Sequence, residues 1–182
     1  MNVRVLIADD HAVLRSGLSL LLSSQGAFDV VAEASTGIEA LSLAEELQPD
    51  LILLDLSMPS LNGLDALPTL REVCPKAKVL VLTMHDDPLY LRQALKKGAA
   101  GYVLKKAADN ELLIAIHAIL KGGVYVHPSM NRLLLEEYLP DDKHTYISAD
   151  IWDSLSDREQ EVLKLVALGY TSTEIGEQIT LS

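Results

Sequence analysis

Short apolar runs recur along this chain, each followed by a helical pattern, and that alternation constrains the fold more than any other feature. Val3–Ala8, Val30–Glu33, Leu51–Leu54, Val79–Leu82 and Tyr102–Leu104 read as strands. The first, third and fourth are almost wholly apolar, as strands covered on both faces must be. Helical patterns fall between and after them, over about 12–24, 36–47, 64–73, 87–97 and 109–121. In the fourth, Leu91, Ala94, Leu95 and Gly98 share one face. Pro49, Pro75, Gly98 and Gly122-Gly123 stand where helices should stop. Five βα units predict an α/β domain with a doubly wound, five-stranded parallel sheet over residues 1–123.

After Gly123 the rhythm changes. Residues 124–150 read as a linker with one short helix, over about 128–139, that ends at Pro140 and gives way to a polar stretch from Asp141. Residues 151–182 return to a helical pattern. Ser156-x-x-Glu159 is a capping box for a helix that Gly169 stops, and Thr171-x-x-Glu174 opens a second helix running to about Ile179. Two helices joined by a short turn are the opening of an all-α helix-turn-helix unit.

Composition narrows the classes. Hydrophobic residues make up 49% and charged residues 23%, the balance of a soluble globular chain. The single cysteine, Cys74, cannot form an internal disulfide, and no apolar run approaches the roughly 20 residues of a membrane span. A cytoplasmic protein is expected. The net charge of −11 leaves no basic patch: residues 150–182 hold Arg158 and Lys164 against seven carboxylates. Because nucleic-acid affinity rests largely on Lys and Arg at phosphates, the chain as written is expected to bind DNA poorly.

Ligands of an open α/β sheet bind beyond the carboxyl ends of its strands. Asp9 and Asp10 follow the first strand, Asp55 the third, Thr83 ends the fourth and Lys105 follows the fifth. A bland explanation is that Asp9 and Asp10 merely cap the next helix. The full set argues for more, since three converging carboxylates repel one another unless a cation lies among them. An all-oxygen set of few carboxylates suits Mg²⁺. A carboxylate can also act as a nucleophile and form an aspartyl phosphate. Phosphoryl transfer requires positioning and positive charge, which Mg²⁺ and Lys105 could supply, with the Thr83 hydroxyl as a donor to the incoming group.

The motifs Asp9-Asp10, Asp55-x-x-Met58-Pro59-x-x-x-Gly63, Thr83 and Gly101-Tyr102-x-x-Lys105 closely resemble the receiver domain of two-component response regulators over about residues 2–121. The resemblance implies a flavodoxin-like fold with Asp55 as phosphoacceptor. It implies Asp10 and Asp55 as direct Mg²⁺ ligands, Asp9 acting through water, and Ser57 offering its backbone carbonyl. Thr83 and Tyr102 would be a switch pair, the ring turning inward as Thr83 moves toward the phosphoryl group, and Lys105 would pair with the phosphate. The implied partner is a sensor histidine kinase. Many receivers place a cis proline after the lysine; here Lys106 follows, and a cis bond there would be costly.

Leu155, Glu159, Val162-Leu163, Leu165-Val166, Gly169-Tyr170, Glu174-Ile175 and Ile179 resemble the first half of a LuxR-type helix-turn-helix. Receiver, linker and this unit together are similar to the NarL/FixJ subgroup of transcription regulators. Leu181-Ser182 would lead into the recognition helix, so this incomplete unit is expected to be loosely held and unable to grip promoter DNA by itself. Either the sequence is a piece of a full-length transcription factor, or it is a receiver acting through protein contacts or as a phosphate sink.

Enzyme classes fit less well. A haloacid-dehalogenase-type phosphatase would want an Asp where Ser57 stands, and Asp9-Asp10 would repel a flavin phosphate. No turnover of an external substrate is expected beyond self-phosphorylation and slow self-dephosphorylation. His11 and His85 read as rim residues tuning access, and His117 as a packing residue. The face of residues 86–121, with Leu89 and Tyr90 exposed, is expected to change shape on phosphorylation and to set homodimerisation or release of the C-terminal unit.

Overall fold

The computed structural model describes residues 2–130 together with Ser156 and Gln160. The chain divides into two compact units, Met1–Tyr138 and Leu139–Ser182. The first unit runs β1 (Val3–Ala8), α1 (Ala12–Ser24), β2 (Phe28–Ala34), α2 (Gly37–Leu47), β3 (Leu51–Leu54), α3 (Gly63–Val73), β4 (Lys78–Thr83), α4 (Pro88–Lys96), β5 (Gly101–Leu104), α5 (Ala108–Leu120) and β6 (Tyr125–Val126). A 3₁₀ turn, Lys105–Ala107, joins β5 to α5. The strands lie in the order β2-β1-β3-β4-β5-β6, and all neighbours are parallel.

Alternate strand residues feed two cores, one on each side of the sheet. Leu6, Ala8, Ile52, Leu54, Val79, Val81, Tyr102 and Leu104 face α2, α3 and α4, which answer with Ala40, Ala44, Leu67, Leu70, Leu91 and Ala94. Val5, Ile7, Leu51, Leu53, Leu80, Leu82 and Val103 face α1 and α5, which contribute Leu18, Leu22, Leu112, Ile116 and Ile119. Each fully buried Leu or Ile contributes roughly 2 kcal/mol by leaving water. Burial on both faces is why these strands read as continuous apolar runs.

Three helices begin on a side-chain cap. Thr36 Oγ1 accepts from Glu39 N–H at 3.1 Å, Asn62 Oδ1 from Asp65 N–H at 2.9 Å, and Asp87 Oδ1 from Leu89 N–H at 2.8 Å. α1 differs: its N-cap is His11, which makes no side-chain cap bond.

The sheet has six strands where five were expected. β6 is two residues long and exists because Tyr125 and Val126 pair with Gly101 and Tyr102; so short a strand has no periodicity to read. It lies beyond Gly123, so the sheet continues into the segment 124–150 read as linker, and Met130 is buried in the first core. β2 is longer than Val30–Glu33. It is an edge strand with mixed exposure, and its ends carry no continuous apolar signal. Among the described residues no peptide bond is cis, including Lys105–Lys106.

Of the helix expected over 128–139, Pro128–Met130 are described and helical. In the second unit Gln160 N–H donates to the Ser156 carbonyl at 3.0 Å, the i to i+4 bond of an opening helical turn. The Thr171 helix, and the expectation of a loosely held tail, lie outside the described residues.

Candidate functional site

Parallel strands bring their carboxyl ends to one rim, and the expected residues meet there. The Asp55 N–H donates to the Ala8 carbonyl at 2.8 Å, which sets the end of β3 beside Asp9. Asp9 and Asp55 are buried, at 2% and 1% exposure, and Thr83 is fully buried. Asp10 keeps 35% of its side chain exposed. Gly63, the last residue of the second motif, donates from its N–H to the Leu56 carbonyl at 3.0 Å. A Cβ there would enter the van der Waals envelope of the Asp55 carbonyl oxygen. The glycine thus lets the β3–α3 loop turn back against Asp55.

Lys105 binds the cluster together. Its Nζ donates to Asp55 Oδ2 at 2.8 Å and lies 2.8 Å from Asp9 Oδ2, the second contact being an ion pair without hydrogen-bond alignment. Burial pulls the ammonium down, but the bonds and charges of Asp55 and Asp9 outweigh it and hold Lys105 above its usual range. Asp55 Oδ1 is buried with no hydrogen-bond partner, and Asp9 Oδ2 has only the Lys105 ammonium beside it. Asp9, Asp10, Asp55 and His11 each place one ligand atom within 4.8 Å of the others. An unpaired, buried Asp55 oxygen in such a cluster fits a divalent cation, since a buried acceptor left without a partner is otherwise expensive.

Thr83 and Tyr102 meet through His85. The His85 N–H donates to Thr83 Oγ1 at 3.2 Å, and the Tyr102 hydroxyl donates to the His85 carbonyl at 2.8 Å. Tyr102 is fully buried. Burial above all, then the charge of Asp87, pushes its phenol well above the usual range.

The rim histidines have more to do than tune access. His85 has its Nε2 2.8 Å from Ser57 Oγ, and its ring stacks on Tyr90 at 4.1 Å and 13°. Tyr90 is therefore half-buried rather than exposed, while Leu89 is 56% exposed as expected. His11 places Nδ1 2.7 Å from Asp10 Oδ1 and 3.1 Å from Asp9 Oδ1, and its N–H donates to Asp9 Oδ1 at 2.8 Å. His117 is exposed and sets its ring at 68° to Phe28 with centroids 6.0 Å apart. Arg15 escaped the sequence reading. Its Nη1 donates to the Asp9 carbonyl at 2.6 Å, and its Nε lies 3.5 Å from Glu33 Oε2. A lone Arg one turn inside an amphipathic helix gave no signal of this.

With this geometry in hand, kinship is informative. Residues 5–117 match the response regulator receiver domain, and residues 153–182 match the bacterial regulatory proteins of the luxR family. The chain belongs to the response regulators. It is 42% identical over 182 residues to the oxygen regulatory protein NreC of Staphylococcus aureus, covering 99% of this chain and 84% of that protein. It is also similar to a LuxR-family two-component response regulator from Aurantimonas sp. SI85-9A1 (34% identity, TM-score 0.71, 76% of this chain and 99% of that one). A structure of two RcsB dimers bound to two parallel DNAs matches at 30% identity and TM-score 0.68, covering 99% of this chain and 84% of that one. This response regulator therefore joins a receiver to a LuxR-type helix-turn-helix, the organisation of a two-component DNA-binding regulator. Among the described residues no helix is long and apolar enough to cross a membrane.

Proposed function

We propose that Asp55 accepts a phosphoryl group from a sensor histidine kinase and that this event governs the DNA-binding output of the regulator. The observation that carries the reading is the setting of Asp55. It is a buried carboxylate at the sheet rim, held through Oδ2 by the Lys105 ammonium, with Oδ1 unpartnered beside Asp9 and Asp10. In the transfer, an Asp55 oxygen attacks phosphorus, a P–O bond forms, and the bond from phosphorus to the donor nitrogen breaks. Mg²⁺ is the cation proposed for the rim, with Asp10 and Asp55 as direct ligands, Asp9 acting through water and the Ser57 carbonyl completing the set. When bound, it supplies positive charge to the phosphoryl oxygens.

The chain's own groups do the rest. Lys105 neutralises the carboxylates at rest and can pair with the phosphoryl oxygens once they arrive. Thr83 Oγ1, now an acceptor for His85 N–H, retains its own proton to donate to a phosphoryl oxygen. Movement of Thr83 would pull on His85, and through it on Tyr102 and Tyr90. That supports α4 and the residue 86–121 face as the element biased by phosphorylation.

A shallow cavity of about 800 Å³, lined by His11, Val13, Leu14, Gly17, Met84 and Lys105, opens beside the acidic rim. Val13 and Met84 are 89% and 68% exposed, which supports docking of an apolar donor surface at the site. Kinship with RcsB, seen as dimers on DNA, supports homodimerisation and promoter DNA as the target of the LuxR-type unit. Self-dephosphorylation is the only turnover proposed. Incubation with a small-molecule phosphodonor, with and without Mg²⁺, tests the reading by intact mass. Mg²⁺-dependent gain of one phosphoryl group is expected; no gain, or a gain indifferent to Mg²⁺, would contradict it.

A further inference from the structure

A rim that binds Mg²⁺ through Asp9, Asp10 and Asp55 uses oxygens alone. The His11 imidazole nevertheless stands inside the same cluster. Its Nδ1 is 2.7 Å from Asp10 Oδ1 and 3.1 Å from Asp9 Oδ1, contacts that an Nδ1–H donor makes and that a cation would replace once the ring proton moves to Nε2. One ligand atom from each of Asp9, Asp10, His11 and Asp55 falls within a 4.8 Å span. With bonds of about 2.0–2.2 Å, ligand atoms around one ion stand roughly 3 Å apart when adjacent and about 4 Å apart when opposite. The cluster's spacings are of that order.

A second observation points to a ligand independently. Asp55 Oδ1 is buried without a hydrogen-bond partner, on a side chain 1% exposed, whereas Asp9 Oδ2 already faces the Lys105 ammonium at 2.8 Å. Lys105 takes Asp55 through the other oxygen, so Oδ1 is left for a different cation. His11 is oriented by its backbone: its N–H donates to Asp9 Oδ1 at 2.8 Å, and its extended φ and ψ of −84° and 98° precede α1. Its side chain is not used as a cap, and 63% of it is exposed to an incoming ion.

We propose that His11 contributes an imidazole nitrogen to the cation site, making it a mixed oxygen–nitrogen site for borderline first-row ions of the Co²⁺, Ni²⁺ and Zn²⁺ class. This rests on the reading of Asp9, Asp10 and Asp55 as a cation site. Carboxylate and water oxygens suit Mg²⁺, whereas imidazole adds affinity for the later transition ions and little for Mg²⁺.

The test is calorimetric titration of the full chain with Mg²⁺ alone and with Co²⁺ alone, for wild type, His11→Ala and Asp55→Asn. Paramagnetic NMR of the histidine rings runs in parallel. The preference for Co²⁺ over Mg²⁺ should fall at least about tenfold in His11→Ala, the scale on which lost metal-site partners are felt. Co²⁺ should perturb the His11 ring first in wild type and not in Asp55→Asn. An unchanged preference in His11→Ala would overturn the proposal, as would Co²⁺ effects confined to His85 or His127. If wild type binds no Mg²⁺, the reading of the rim as a cation site fails and takes the proposal with it. Normal Mg²⁺ binding with an indifferent His11 ring would defeat the proposal alone.

Discussion

The Tyr102 hydroxyl donates to the backbone carbonyl of His85 at 2.8 Å, fastening the buried aromatic of β5 to the loop that leaves β4. The same His85 gives its N–H to Thr83 and stacks its ring on Tyr90 of α4. A single loop residue therefore connects the acidic rim, the sheet interior and the first turn of α4. The links to Thr83 and Tyr102 run through two backbone groups of His85, whereas the link to α4 runs through its ring and depends on the identity of residue 85.

Tyr102→Phe keeps the ring and removes the donor. The His85 carbonyl loses its partner, at a cost of about 1 kcal/mol. Urea unfolding should show that loss, and amide exchange at residues 84–87 should quicken while the core strands stay protected. Unchanged exchange in that loop would show that the hydroxyl does not hold it.

Lys105→Met leaves Asp9 and Asp55 facing each other without a counter-charge. Both are buried, and removal of one partner from a buried ionic cluster typically costs about 3 kcal/mol or more. Mg²⁺ should recover part of the loss, by restoring positive charge beside the carboxylates. In wild type, Lys105 is held above its ordinary 10.5. A raised folded pKa means its stabilisation is complete below pH 10.5 and is lost as pH rises through the folded value. Alkaline unfolding curves should show that decline in wild type and not in Lys105→Met.

Gly63→Ala tests the backbone contact under Asp55. The added Cβ meets the Asp55 carbonyl and the Leu56 Cα, both backbone, so the loop must move. Overpacking of this kind costs about 1–3 kcal/mol. Because the displaced group is Asp55 itself, phosphorylation by a small-molecule donor should slow together with the loss of stability. A variant that is destabilised yet phosphorylated at the wild-type rate would separate Gly63 from the site.

Much of this was legible in the sequence, for identifiable reasons. β1 and α1 span Val3–Ala8 and Ala12–Ser24, where the apolar run and the helical pattern put them. Strands buried on both faces write their burial directly into composition. Asp9, Asp55, Thr83 and Lys105 were legible because parallel strands oblige their carboxyl ends to share a rim. β6 was not legible, since two residues acquire strand geometry only by pairing with Gly101 and Tyr102. The ring contacts of His85 with Ser57 and Tyr90 were hidden for a related reason: side-chain packing across loops leaves no periodic trace.

Glu111→Ala tests what anchors β6. Glu111 Oε2 accepts from the Tyr125 hydroxyl at 2.8 Å, and Oε1 lies 3.4 Å from His127 Nε2. Burial first, then the Glu111 hydrogen bond and charge, push the Tyr125 phenol up to about 12. A raised folded pKa gives stability that is complete below pH 10 and lost between about 10 and about 12. In Glu111→Ala, tyrosinate absorbance assigned to residue 125 should appear nearer pH 10, and amides 124–127 should exchange faster. An unmoved titration would place the anchor in the backbone pairing alone.

The central claim is that Asp55 receives the phosphoryl group, and peptide-level mass spectrometry after treatment with a small-molecule phosphodonor and Mg²⁺ tests it most directly. The account predicts one label on the peptide carrying Asp55 in wild type and none in Asp55→Asn. A label that persists in Asp55→Asn at the wild-type level, or that maps to Asp9 or Asp10, would contradict it.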